Sequence, residues 1–234
     1  MFTPAIASVG HWFRVKRANA IGLAITGGSF GGIVFPLILE KMIPMIGFPW
    51  ACRVVGFVQL ALLVPANLFV RSRLKPLPDA KATIDFTALR EPIFALTTMG
   101  TFLSQWGVFV PVTFMASYAI HIGIGESFSY QLMAIFNTGS VFGRWLPNYA
   151  ADIIGRFNVM ILMLLCGFTT VIGLWLPSEQ GGSSGKAILI AAAVTCGFCT
   201  GSSIGLVPVC VAQISPIEDY GKRYGTCLCL ASFA

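Results

Sequence analysis

The chain has 234 residues, a formal net charge of +6 and a mean hydropathy of +0.81. Only 10% of the residues are charged and 56% are hydrophobic, where an ordinary soluble domain carries about 25% charge. A chain with so little charge cannot coat a water-facing surface, which excludes a disordered chain, a nucleic-acid binder and a typical soluble enzyme together.

Charge-free runs cover Ala18–Leu39, Val54–Val70, Pro92–Gly125, Ser127–Gly143, Phe157–Ser178 and Ala187–Ile217. A bilayer core takes about 20 mostly apolar residues per helix. The runs do not alternate as barrel strands would. They predict an all-α polytopic membrane protein with spans near 18–39, 49–70, 93–117, 127–147, 157–177 and 187–213. Residues 1–13 read as the tail of an earlier helix and Gly225–Ala234 as the start of another, so the sequence reads as a piece of a longer polytopic protein.

The connections alternate in charge. One set holds Arg14, Lys16, Arg17, Arg71, Arg73, Lys75, Lys81, Arg90, Arg144, Arg156, Lys222 and Arg223; the other holds Lys41, Arg53 and Lys186. The basic set marks the cytosolic side, so both ends of the chain are expected there, with the plasma membrane as the expected compartment.

The first span is lined by Gly22, Gly27, Gly28, Gly31 and Gly32, followed by Pro36. A face without side chains permits close helix approach, and Gly27 and Gly31 are taken as candidates for it; bending at the proline and plain packing both fit. At the start of the second span Trp50 suits the interfacial aromatic belt, and Arg53 either snorkels to the interface or points into a cavity. Residues 71–91, with Pro76, Pro78 and five basic residues, read as a cytosolic linker, with Phe86–Arg90 placed flat on the membrane. The chain thus divides into helical blocks 1–70 and 92–234.

In the third span Gln105 needs a partner, either on a neighbouring helix or on a substrate. The fourth span carries Asn137, Ser140 and Arg144 at spacings of three and four, hence on one helix face. A permanent cation at membrane depth is retained for a function or a specific partner. In a water-filled cavity Arg144 would receive a carboxylate in its guanidinium fork; at the rim it would be an anchor. The short connection that follows holds Asp152, Gly155 and Arg156: a sharp turn with opposite charges, either a latch at one end of the bundle or a surface turn. The last span is rich in Gly and Ser, and the loop 213–223 is expected near the Asp152 turn. Cys196-x-x-Cys199 sits mid-helix without His, Asp or Glu nearby and reads as packing. No metal, cofactor or nucleotide motif is present, and no catalytic constellation, so the chain is not expected to be an enzyme.

The run His11-Trp12-Phe13-Arg14-Val15-Lys16-Arg17-Ala18-Asn19-Ala20-Ile21-Gly22-Leu23-Ala24, with Gly27-Gly28-Ser29-Phe30-Gly31-Gly32, resembles the approach to the fifth helix of monocarboxylate-transporter-type members of the major facilitator superfamily, in their fungal branch. Gly47–Arg53 is similar to the start of the sixth helix, and Gly143-Arg144 through Asp152, Gly155 and Arg156 to the signature between helices eight and nine. The resemblance implies an incomplete twelve-helix bundle, from late helix four to early helix eleven, and a secondary carrier working by alternating access. It implies a small organic anion or metabolite as cargo, with protons as the co-transported ion of symport, and the lipid bilayer but no nucleic acid as partner. Fungal relatives of this type also carry vitamins and export secondary metabolites, and a truncated, non-transporting remnant is the other reading. Arg144 falls on the family's helix-eight arginine, with Asn137, Ser140 and Gln105 as neutral donors and acceptors beside it. Ser140 stands where animal members have an acidic residue, and Asn148 where the superfamily has Gly.

Overall fold

A computed structural model describes residues 2–13, 15–70, 86–123, 125–180 and 182–233. The described residues form helices α1 (Phe2–Trp12), α2 (Arg17–Ile46), α3 (Phe48–Phe69), α4 (Pro92–His121), α5 (Glu126–Ile154), α6 (Arg156–Thr170), α7 (Gly182–Ile214) and α8 (Tyr220–Ala231). Helix α6 continues as a π-turn over Val171–Trp175 and a 3-10 turn over Leu176–Gln180. Arg14 and most of the expected linker, with Arg71, Arg73, Lys75 and Lys81, lie outside the described residues.

The protein is an all-α, multi-spanning bundle. Five segments are long and apolar enough to cross a membrane: Arg17–Ile46, Phe48–Phe69, Pro92–His121, Arg156–Ser178 and Gly185–Ile214. The remaining expected span, the fourth, is α5, which has 29 residues and ample length. Its polar residues keep it out of that group: Asn137, Ser140, Arg144, Asn148 and Asp152 meet α2 or α7, while Gln131, Thr138 and Tyr149 are exposed. Helix α3 is the opposite case: its apolar window has no buried residues, as suits a helix whose surroundings are hydrocarbon.

Helix α2 runs on through Pro36 and Pro44 to Ile46, beyond the expected end at residue 39. A helix in lipid keeps its form past proline because unwinding would strand further backbone groups without partners. The chain turns instead at Gly47, whose φ of +77° suits glycine, and Pro49 occupies the first turn of α3. Helix α8 begins at Tyr220, five residues before the expected Gly225. The 3-10 turn Phe86–Arg90 leaves Phe86 exposed but sinks Ala88 into the core.

Two apolar clusters hold the bundle. At the basic end, Ile6, Ala18, Ile21, Leu206, Tyr220 and Tyr224 join α1, α2, α7 and α8. At the opposite end, Met115, Ala119, Leu132, Phe136, Leu189 and Ala193 join α4, α5 and α7. The most extensive interface is α5 on α7. It rests on glycines contributed by both helices: a Cβ on Gly139 would strike the Val194 carbonyl, one on Gly143 the Phe198 carbonyl, and one on Gly197 the Phe136 carbonyl. Backbone lies directly on backbone there, the close approach that small residues permit between helices in lipid. On the other side of the bundle, Glu91 accepts two hydrogen bonds from Arg223, at 2.9 and 2.5 Å, tying the start of α4 to α8.

Candidate functional site

Helix α5 presents one continuous polar edge to α2. Asn137, Ser140, Arg144, Asn148 and Asp152 follow one another at spacings of three, four, four and four, so they stack along a single face. The two helices run antiparallel, and each residue meets α2 progressively nearer its N-terminus. The Asn137 amide donates to the Gly32 carbonyl at 3.4 Å and to Met133 within its own helix at 2.9 Å. The Ser29 hydroxyl donates to Ser140 Oγ at 3.0 Å. Arg144 Nη1 donates to the Ile25 carbonyl at 2.8 Å, while its Nε is buried with no partner among the described residues. Glycines on α2 make room for these side chains. A Cβ on Gly28 would lie 2.7 Å from Arg144 Nη1, and one on Gly32 would lie 2.6 Å from Asn137 Oδ1.

Asp152 ends the ladder. Its carboxylate accepts the Ala18 N–H at 3.2 Å and the Asn19 N–H at 3.0 Å. These amides belong to the first turn of α2, where no intrahelical acceptor exists, and Lys16 at the N-cap supplies no side-chain cap. A carboxylate from another helix therefore does the capping, and its charge also suits the positive end of the helix dipole. Gly155, at φ +112°, makes the predicted sharp turn between α5 and α6 and so holds Asp152 in place. Arg156 lies 3.9 Å from Asp152, a loose pair whose main electrostatic partner is the α2 terminus. Nearby, Trp145 Nε1 donates to Asn19 Oδ1 at 3.2 Å. The Arg17 guanidinium lies over the Tyr220 ring, 4.4 Å from its centroid, joining α2 to α8 as well.

The structure thus brings Asn137, Ser140, Arg144 and Asp152 onto one seam, with Gly155 and Arg156 at its basic end. It does not bring Gln105 there. Gln105 is half-buried on α4, which packs against α5, α7 and α8. Arg53 is exposed on α3 and lies over the Trp50 ring, 4.8 Å from its centroid, away from the α2–α5 seam. The close approach of α2 falls at Gly22, Gly28 and Gly32; Gly27 has nothing within 4 Å and Gly31 meets only Phe35 of its own helix. The reason is rotational phase, since Gly28 and Gly32 share the face of Ile25 and Ser29 and their predecessors are turned away. Ser29 and Asn19 also meet α5 directly; nothing in the sequence signals it, because a small polar residue in a helix reads as packing material.

A cavity of about 370 Å³ lies between α4, α6 and α7, lined by Ser104, Pro111, Phe168, Cys199 and Thr200 among others. Cys196 and Cys199 are buried beside it as free thiols. A second, more polar hollow of about 410 Å³ at the basic end is lined by Val15, Asp152, Gly155, Arg156 and Gln213, which sets the end of α7 beside the Asp152 turn. Arg144 lines neither.

A polar seam inside an apolar helical bundle, closed by a carboxylate on a helix terminus, is the geometry against which the comparisons with known proteins stand. The profile of the Major Facilitator Superfamily matches residues 1–234. The chain belongs to the major facilitator superfamily. It is 40% identical to the MFS-type transporter opdF of Penicillium oxalicum over 99% of its own length and 54% of that protein. It is 35% identical to the Fujikurins efflux protein of Gibberella fujikuroi, over 96% of this chain and 48% of the relative. It is 33% identical to the Riboflavin transporter MCH5 of Saccharomyces cerevisiae, over 100% of this chain and 48% of the relative. These relatives are fungal, and their names are those of transporters rather than enzymes. The chain spans about half the length of the relatives it matches. Among members of the superfamily, similarity to these fungal proteins does not single out the monocarboxylate carriers.

Proposed function

We propose that the complete protein is a secondary transporter of small organic acids or related metabolites, working by alternating access with the α2–α5 seam as one of its moving contacts. The observation that carries this reading is the Asp152 carboxylate on the Ala18 and Asn19 amides. It is a contact between segments on either side of the linker, made of hydrogen bonds that water can replace when the helices part. In this reading residues 1–70 and 92–234 are the two moving blocks, the basic end faces the cytosol of a plasma-membrane protein, and the structure is closed on that side.

Arg144 would attract the anionic group of the cargo. Its Nη1 is held by Ile25, and its buried Nε has no partner among the described residues, so an arriving carboxylate could take up that bonding capacity. Asn137 and Ser140 would supply neutral contacts on the same face, and Gln105 would join them only after α4 moves. Asp152, Gly155 and Arg156 would gate. Protons remain the co-transported ion proposed for this mechanism, although Ser140 gives the ladder no acidic group at that rung.

A second cargo class is suggested by the relatives' names, a Fujikurins efflux protein and a Riboflavin transporter: a secondary metabolite or vitamin rather than a small organic acid. One experiment separates the two. The completed protein, expressed in cells, is assayed for uptake of a labelled monocarboxylate and for movement of a panel of neutral metabolites. Arg144→Gln is expected to abolish carboxylate uptake while leaving membrane insertion intact. Equal uptake by that variant removes Arg144 from the site, and flux of neutral cargo alone selects the second class.

A further inference from the structure

Among the described residues, Asn148 is the one member of the α5 ladder with no hydrogen bond across the seam. It is fully buried where α2, α5 and α7 meet. Its Nδ2 donates to the Arg144 carbonyl at 2.7 Å, within its own helix. Its Oδ1 is buried with no hydrogen-bond partner among the described residues. Two helices thin themselves to accept this side chain. A Cβ on Gly22 of α2 would lie 2.7 Å from Asn148 Cβ, and one on Gly205 of α7 would collide with Nδ2. The residues one turn to either side, Arg144 and Asp152, do bond to α2, through Ile25 and through Ala18 and Asn19.

An amide oxygen taken from water and given no replacement opposes its own burial. Parting α2 from α5 would return water to Asn148 Oδ1, and closing the seam expels it again. The contact at Asp152 acts in the other direction, since closure gives it two charge-assisted hydrogen bonds. We infer that Asn148 is a counterweight to the Asp152 latch: it disfavours the closed seam and so sets the balance between closed and open states. The inference rests on the alternating-access reading above and assigns the balance point of that same seam to one side chain. A plain packing spacer would behave differently, because the shape of the residue and not its oxygen would then matter.

The test is hydrogen–deuterium exchange, read by mass spectrometry, of peptides containing the Ala18 and Asn19 amides. The complete protein is reconstituted in phosphatidylcholine nanodiscs and needs no cargo. Asn148→Leu keeps the branched outline of the side chain and removes both polar atoms. It is expected to slow exchange of these amides roughly tenfold, the change that relief of one unsatisfied buried acceptor brings. Asn148→Ala is expected to slow it in the same direction by less, and carries the test should the Leu variant fail to fold. Asp152→Asn is expected to speed exchange. If Asp152→Asn speeds exchange while both Asn148 variants match the parent or exceed it, the counterweight is overturned and the gating reading stands. If Asp152→Asn leaves exchange unchanged, the seam does not open there, and both readings fall.

Discussion

Helix α5 makes two long contacts that are built on opposite plans. Toward α7, glycines on both helices bring backbone onto backbone, and no side-chain hydrogen bond between the two helices is found among the described residues. Toward α2, glycines on one helix receive polar side chains from the other, and hydrogen bonds run the length of the seam. The first kind of contact loses dense dispersion packing when separated and gains nothing in return. The second exchanges protein hydrogen bonds for water at small net cost. A helix fixed on one side and releasable on the other suits the edge of a rigid block that docks reversibly on a second block.

The comparison is broken most severely on the α7 side. Gly143→Val and Gly197→Val would each drive a side chain into a partner carbonyl, with no flexible end to give way. Overpacking against backbone is expected to cost about 3 kcal/mol, the upper end for an overpacked site. In detergent, both variants should elute as aggregates or melt far below the parent. Melting within a few degrees of the parent would mean that the two helices are not held this way. The α2 side should respond less. Asp152→Ala strands two helix-terminal amides and removes a favourable charge, worth about 1–2 kcal/mol. The bundle should still fold. In the completed protein the maximal transport rate should change more than the half-saturation concentration; a selective loss of affinity would move Asp152 from gate to binding site.

Much of this plan is legible in the chain, because lipid forces a simple pattern on it. Length and apolarity place the spans, and the three-and-four spacing of Asn137, Ser140 and Arg144 places them on one face. Asp152, Gly155 and Arg156 declare a tight charged turn. What the turn touches is not legible, since Asp152 bonds to backbone amides that any sequence would supply at a helix start. The α5–α7 contact is half legible. Gly197 and Gly201 stand out as a close-packing edge, but Gly139 and Gly143 have the same four-residue spacing on α5 and were overshadowed by the polar residues between and after them. Rotational phase explains the rest: with glycine at 27, 28, 31 and 32, periodicity alone cannot choose the pair that faces α5, and the neighbour makes the choice. Gln105 shows the same limit, for a polar residue in a span announces a need for a partner without naming the helix that meets it.

The finest distinction falls at Gly28, between a contact that must hold shape and one that can yield. A Cβ there would stand 2.7 Å from Arg144 Nη1, too near for a real Cβ though less tight than the α5–α7 approaches, and the atom it meets is the end of a long, flexible side chain. Gly28→Ala should therefore alter folding stability by less than about 1 kcal/mol, and its melting temperature should stay within a few degrees of the parent. The guanidinium, however, must shift by a few tenths of an ångström to several, and its bond to the Ile25 carbonyl must lengthen or break. If Arg144 receives the cargo's anionic group, the half-saturation concentration for a carboxylate should change a few-fold in the completed protein, with little change in maximal rate, the reverse of the pattern expected for Asp152→Ala. Gly28→Ala with unaltered carboxylate kinetics would place the arginine in the seam as a structural strut, and the cargo site would then have to be sought away from the α2–α5 contact.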